Sequence, residues 1–157
     1  MLTRRCVFLA CFLALAVLGA RGADAQSVTV RGMRGLTFGT VVPGVPSHIL
    51  RTDPVNSGQF EIQGPFLTFI QLTFTLPALL NGPSGATMPL SFATNDAGYS
   101  FNNTIGSQTA FDPHQPRSTV IWIGGRSGVF LGGTVSPVPG QRAGSYTGTV
   151  VLTVVVL

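Results

Sequence analysis

Lysine is absent from this chain of 157 residues, and charge of any kind is scarce: nine arginines, five acidic residues and two histidines. The arginines are scattered, so no basic stripe exists on which nucleic acid could be held. Only two cysteines occur, Cys6 and Cys11, both close to the start. The rest of the chain therefore offers no disulfide, no thiolate metal ligand and no cysteine nucleophile. After the first 25 residues no stretch keeps a 3.6-residue apolar period, which excludes a helical bundle, and no apolar run approaches the length of a membrane-spanning helix. A G-x-S-x-G elbow is also missing.

What is present begins with a leader. Arg4 and Arg5 precede a fourteen-residue apolar run over residues 6–19, and Ala23-Asp24-Ala25 has the A-x-A form of a cleavage site. The expectation is a secretory signal peptide over residues 1–25 and a single domain over residues 26–157. The run falls short of the roughly 20 residues a spanning helix needs. Leu9-Ala10 before Cys11 imitates a lipidation box, but too few apolar residues precede it. Cleavage would remove both cysteines and deliver a thiol-free chain to the periplasm or the cell surface. Six arginines and four acids (Asp53, Glu61, Asp96 and Asp112) would remain, with many Thr, Ser, Gly and β-branched residues, a composition that fits an extracellular β protein.

Short period-two segments punctuated by glycine and proline dominate the remainder, the pattern of a β-sandwich or barrel. Residues 27–30 alternate briefly. Leu36, Phe38 and Val42 share a face of an expected strand that Pro43-Gly44 ends. Phe60 and Ile62 alternate with Glu61 and Gln63. Phe66, Ile70, Leu72, Phe74 and Leu76, with Thr68 as an exception among them, line one side of the clearest internal strand, over residues 66–76. Met88, Leu90 and Phe92 alternate around Pro89, which argues for an edge strand. Residues 95–116 read as a long polar loop with at most one short strand, and residues 119–123 and 129–135 as two more strands.

The final stretch is the most distinctive. Tyr146, Val150, Leu152, Val154 and Val156 form one face, and Thr147, Thr149 and Thr153 the other, until Val155 and Leu157 make both faces apolar. Such a strand wants a neighbour along its edge. Two arrangements stay open. Either another polypeptide donates the neighbouring strand, with Val28 and Val30 as the candidate donor arm, or residues 28–30 or 36–42 of the same chain already pair there.

Several landmarks occur in order: Leu36-x-Phe38-Gly39, Pro43-Gly44, Phe60-x-Ile62-x-Gly64, Thr75-Leu-Pro77, Met88-Pro-Leu-Ser-Phe92, Val129-Phe-Leu-Gly-Gly-Thr-Val135 and Ala143-Gly-Ser-Tyr-Thr-Gly148. In these the chain resembles secreted bacterial domains related to spore coat protein U and to chaperone–usher fimbrial, pilin-like subunits. The resemblance implies an all-β, immunoglobulin-like sandwich with an incomplete edge. It also implies a structural role in a surface fibre, fimbria or coat, and partners that are other copies or related subunits, with a periplasmic chaperone. The chain departs from many fimbrial subunits in having no disulfide and a short arm before Leu36.

Other chemistry was weighed residue by residue. A hydrolytic triad would have to use His48 or His114, with Ser127 in Gly125-Arg-Ser-Gly128, where a turn wants small residues anyway. Asp112-Pro-His114 could supply two metal ligands, but turn chemistry explains the pair equally. Trp122 and Tyr99, with loop amides Asn95, Asn102 and Asn103, could form a carbohydrate platform, the alternative reading as a monomeric binding module. Trp122 lies between apolar neighbours on both sides, which favours a core position. The sequence reading is therefore a non-enzymatic protein without catalytic residues, metal or cofactor.

Overall fold

A computed structural model describes residues 27–157. The expected signal peptide, with Cys6, Cys11 and the cleavage site, lies outside the described residues. Among these residues no helix is long and apolar enough to cross a membrane. Twelve strands form three antiparallel sheets, and the only helical element described is a short 3-10 turn, Pro83–Gly85.

The strands are β1 (Thr29–Arg34), β2 (Ser47–Ile49), β3 (Gly58–Gln63), β4 (Thr68–Thr75), β5 (Leu79–Asn81), β6 (Thr87–Ser91), β7 (Ala97–Ser100), β8 (Thr109–Phe111), β9 (Arg117–Ile121), β10 (Arg126–Leu131), β11 (Gly133–Val135) and β12 (Val151–Val156). One sheet runs β1-β3-β10-β7-β8, a second β2-β11-β6-β5, and a third β12-β4-β9. The inward residues of the five-stranded and three-stranded sheets meet in the main core: Ile62, Tyr99, Val129 and Leu131 from one side, Ile70, Leu72, Ile121 and Leu152 from the other. Each fully buried aliphatic chain here contributes about 1.5–3 kcal/mol, and alternation along each strand supplies them without a disulfide. A smaller cluster of Met88, Leu90 and Val135 takes in Phe38, Val41, Leu80, Phe92 and Tyr146.

Three local expectations change in the fold. Residues 129–135 form two strands rather than one. At Gly132 the chain leaves the five-stranded sheet for the four-stranded one, and a Cβ there would lie 2.7 Å from the Arg51 backbone nitrogen, so only glycine permits the crossing. Pro89 sits in an internal strand, with β5 and β11 on its two sides. It is tolerated because the β11 ladder covers only Leu90 and Ser91 and then ends in a one-way bond, in which the Pro89 carbonyl accepts from the Ser136 amide at 3.0 Å. Residues 36–42 join no sheet. Gly39 has a φ of 63°, which breaks the alternation and brings Val41, instead of Val42, into the smaller cluster.

The stretch expected to be loop carries a hairpin, since β7 and β8 pair through Ala97↔Phe111 and Tyr99↔Thr109. At the other side of the molecule β12 pairs with β4 from Val151↔Thr75 to Val156↔Ile70, and among the described residues no strand lies along its second edge.

Candidate functional site

Two segments outside the sheets share one cavity. The chain following β1 and the chain leading into β12 both line a space of about 1100 Å³. Its floor is apolar: Phe60, Leu80, Met88, Leu90, Leu131 and Val135. A volume of this size stands at the upper end of small-molecule pockets, so volume alone does not decide the occupant.

The rims do more to decide it. On the first rim Thr37 donates its amide to the Asn56 carbonyl at 2.9 Å, and Gly44 donates to Pro137 at 3.0 Å. Between them, among the described residues, no backbone amide of 38–42 donates to a carbonyl. On the second rim Thr147 and Asn81 exchange amide–carbonyl bonds of 2.9 and 2.8 Å in an isolated bridge. Among the described residues the amides of 143–146 and 148–150 donate to none. Backbone groups left unpaired beside an apolar floor are the groups a further extended segment would satisfy.

Each rim is held from behind. Arg34 donates through Nε to the Ser57 carbonyl at 2.7 Å and through a terminal nitrogen to the Ser57 hydroxyl at 2.8 Å, which ties the end of β1 to the turn before β3. Asp53 organises that turn by accepting the Val55 and Asn56 amides, both at 2.8 Å, and these bonds hold its carboxyl below the usual carboxylate range. On the second rim the Tyr146 ring rests on Gly82, where an added Cβ would approach the ring within 2.6 Å of Cδ1. The Tyr146 hydroxyl donates to the Arg142 carbonyl at 2.8 Å and accepts from Gln141 Nε2 at 2.6 Å.

The last strand is shorter than its alternation suggests: β12 begins at Val151 and leaves Tyr146 and Val150 before it, so the residues expected at the C-terminal edge divide along this rim. Leu152 is buried, while Val150 and Val154 pack half-buried on the main core. Tyr146 belongs to the smaller cluster, and Val156 is exposed at 56%. Val28 also packs on the main core. Val30 pairs opposite Ile62 in β1, so the candidate donor arm lies along β3 of its own chain in this structure. Residues 36–42, the other segment considered as a neighbour for the last strand, line the cavity without pairing with β12.

The candidate ligand-binding residues do not converge. Tyr99 is wholly buried, which raises its pKa. Its hydroxyl donates to the Val120 carbonyl at 2.8 Å and lies 2.7 Å from the Ser127 hydroxyl. Asn103 is engaged by Glu61 and Gln59, and Asn102 by Ser100 and Ser107. Trp122 is 44% exposed and packs edge-on against Phe66, with ring centres 5.6 Å apart. Its expected core position fails because Ile121 takes the inward place and period two turns the next side chain out.

The cavity lining includes Arg34 and Arg142 but neither a carboxylate nor a histidine. Elsewhere His48 lies 3.3 Å from Asp96 and His114 lies 2.9 Å from Asp112, and Ser127 faces Tyr99 rather than either imidazole. The amide and side chain of His114 hold the Asp112 carboxyl below its ordinary range, which is turn chemistry. Among the described residues no three metal-type side chains gather. No protein-family model matches the chain, and no curated protein matches it.

The groove itself was only partly legible in the sequence. Pro43-Gly44 and the turn ending at Gly144 were legible as bounds of two expected strands, but nothing in the spacing says that Gly39 breaks the first or that both segments line one cavity.

Proposed function

We propose that this protein is a secreted structural subunit, or an accessory, of a surface fibre, fimbria or coat, and that an extended segment of another polypeptide completes its groove. The single observation that carries the reading is the pair of unpaired backbone rims over an apolar floor. An inserted strand would gain main-chain bonds on both sides and place alternate side chains on Phe60, Met88, Leu90 and Leu131.

Two further features support an immunoglobulin-like sandwich with an unfilled position. The main core lies between two antiparallel sheets. Tyr146, which bonds back to a carbonyl four residues upstream just before β12, matches the tyrosine corner that opens the penultimate strand of such domains. On that assignment the strand that would follow β12 is the one supplied from outside. Since β1 is already paired in its own sheet, the donor is a neighbouring subunit's extended segment, or a copy whose β1 has been released. A chaperone able to hold the groove open before assembly is the partner class this chemistry fits.

The test is amide hydrogen exchange combined with sizing and negative-stain microscopy of the protein recovered from its native envelope. Residues 38–42 and 143–150 should exchange fast in isolated molecules and slowly in detergent-resistant oligomers. Slow exchange at those amides in a lone monomer would sink the reading.

A further inference from the structure

A second surface, which shares no residue with the groove lining, is apolar for a different reason. The turn between β3 and β4 and the turn between β9 and β10 lie side by side. Gly64 donates its amide to the Gly125 carbonyl at 3.0 Å, and Leu67 donates to Ile121 at 2.9 Å. The pair of turns projects Phe66, Leu67, Trp122 and Ile123, exposed at 54, 47, 44 and 70%. Phe69 extends the patch at the start of β4.

Leu67 has a φ of 59°, a left-handed conformation that costs a branched apolar residue energy, yet its side chain is half in solvent. The turn from Pro65 to Thr68, closed by the Thr68 amide on the Pro65 carbonyl at 3.4 Å, sets this conformation and leaves the apolar chain facing outward. Contiguous exposed aromatic and aliphatic groups on a protein surface mark an interaction site.

The charges say which kind. Asp53, Asp96 and Asp112, three of the four acids among the described residues, lie at the opposite pole. Asp53 organises the turn before Gly58, the backbone carbonyl of Asp96 accepts the amide of Gly132, and Asp112 follows the end of β8. At the apolar pole Arg126 is paired opposite Gln63, and Arg31 stands opposite Glu61, two residues or about 7 Å further back. Glu61 is almost wholly buried, accepts from Asn103 and Gln63, and lies 3.7 Å from Arg126. The tip thus has a hydrophobic apex, an indole able to sit at a polar–apolar boundary, and a basic collar with its acid withdrawn.

We propose that the paired turns around Phe66 and Trp122 dock this protein on an anionic lipid bilayer, with the apex in the interfacial zone and Arg31 and Arg126 against the headgroups. The fit is to a surface that is anionic outside and apolar a few ångströms below. A second copy of the same tip would set arginine against arginine.

Trp122 is the only tryptophan, so its fluorescence reports the tip directly. The full chain is mixed with vesicles of phosphatidylcholine alone and of phosphatidylcholine with phosphatidylglycerol. The expected result is a blue shift and loss of acrylamide quenching on the anionic vesicles, with flotation of the protein. Affinity should fall about fivefold in Arg31→Gln and by more than tenfold in Phe66→Ser/Ile123→Ser, two solvent-exposed sites whose thermal melts should match wild type. Val55→Ser, exposed at the acidic pole, should bind as wild type does. A leader still attached could bring the protein to vesicles but would not move the Trp122 signal. Flotation without a blue shift, equal affinity in the double variant, or a blue shift that grows with protein concentration in the absence of lipid would each overturn the proposal, the last in favour of tip-to-tip pairing.

Discussion

The hydroxyl of Tyr146 donates to the carbonyl of Arg142 at 2.8 Å, a bond that closes the corner from which the last strand starts. The same oxygen accepts from Gln141 Nε2, so a single phenol fastens both neighbouring residues 141 and 142 to the corner. Tyr146→Phe removes both bonds while keeping the ring on Gly82. The expected loss is about 1 kcal/mol, read as a fall in Tm of roughly 3–5 °C. Gly82→Ala keeps the hydroxyl but forces the ring away, and overpacking of about 1–3 kcal/mol is expected. Faster exchange of the amides around Thr147 should accompany both.

Leu152 and Val156 share a face of β12 in the period-two pattern, but only Leu152 is covered. Leu152→Ala should cost about 2–5 kcal/mol in a denaturant titration, because it leaves a cavity between the sheets. Val156→Ala in the isolated protein should stay within about 0.5 kcal/mol. Equal losses at the two sites would mean that the exposed end of β12 is covered in solution.

Tyr99 joins the main core to the carbonyl of Val120 and the hydroxyl of Ser127. Tyr99→Phe leaves two buried polar groups facing an apolar edge, and a destabilisation of about 1–3 kcal/mol is expected. Glycan arrays should show no difference between this variant and wild type, since the ring touches no solvent.

Asp53 should make the groove turn sensitive to acid. Its carboxyl is held below the ordinary value by the Asn56 and Val55 amides, so the charged form is favoured by folding. That contribution is complete above about pH 4 and is lost as pH falls through the lowered folded value. The denaturation midpoint of wild type should therefore drop more steeply between about pH 4 and pH 2 than that of Asp53→Asn. Parallel profiles for the two proteins would remove Asp53 from the account.

Much of the strand content was legible from alternation alone. Ile62, Ile70, Leu72 and Leu152 all point inward as their spacing requires, because a pleated strand has only two faces. Scarce charge, the lack of a helical period and glycine–proline punctuation were enough to specify an all-β chain. Four things were not legible: the sheet switch at Gly132, the internal place of Pro89, the hairpin within residues 95–116, and the outward turn of Trp122. Each depends on which strand lies beside or behind another, and residues far apart in sequence decide that. The groove is the strongest case. The sequence by itself determined that Pro43-Gly44 ends residues 36–42 and that a turn over residues 137–144 precedes the final stretch, both of which read as strands. Only the tertiary structure left residues 36–42 and 143–146 outside the sheets and brought them to one cavity with Phe60 and Leu131, because the packing of two sheets, rather than any local preference, gathers them there.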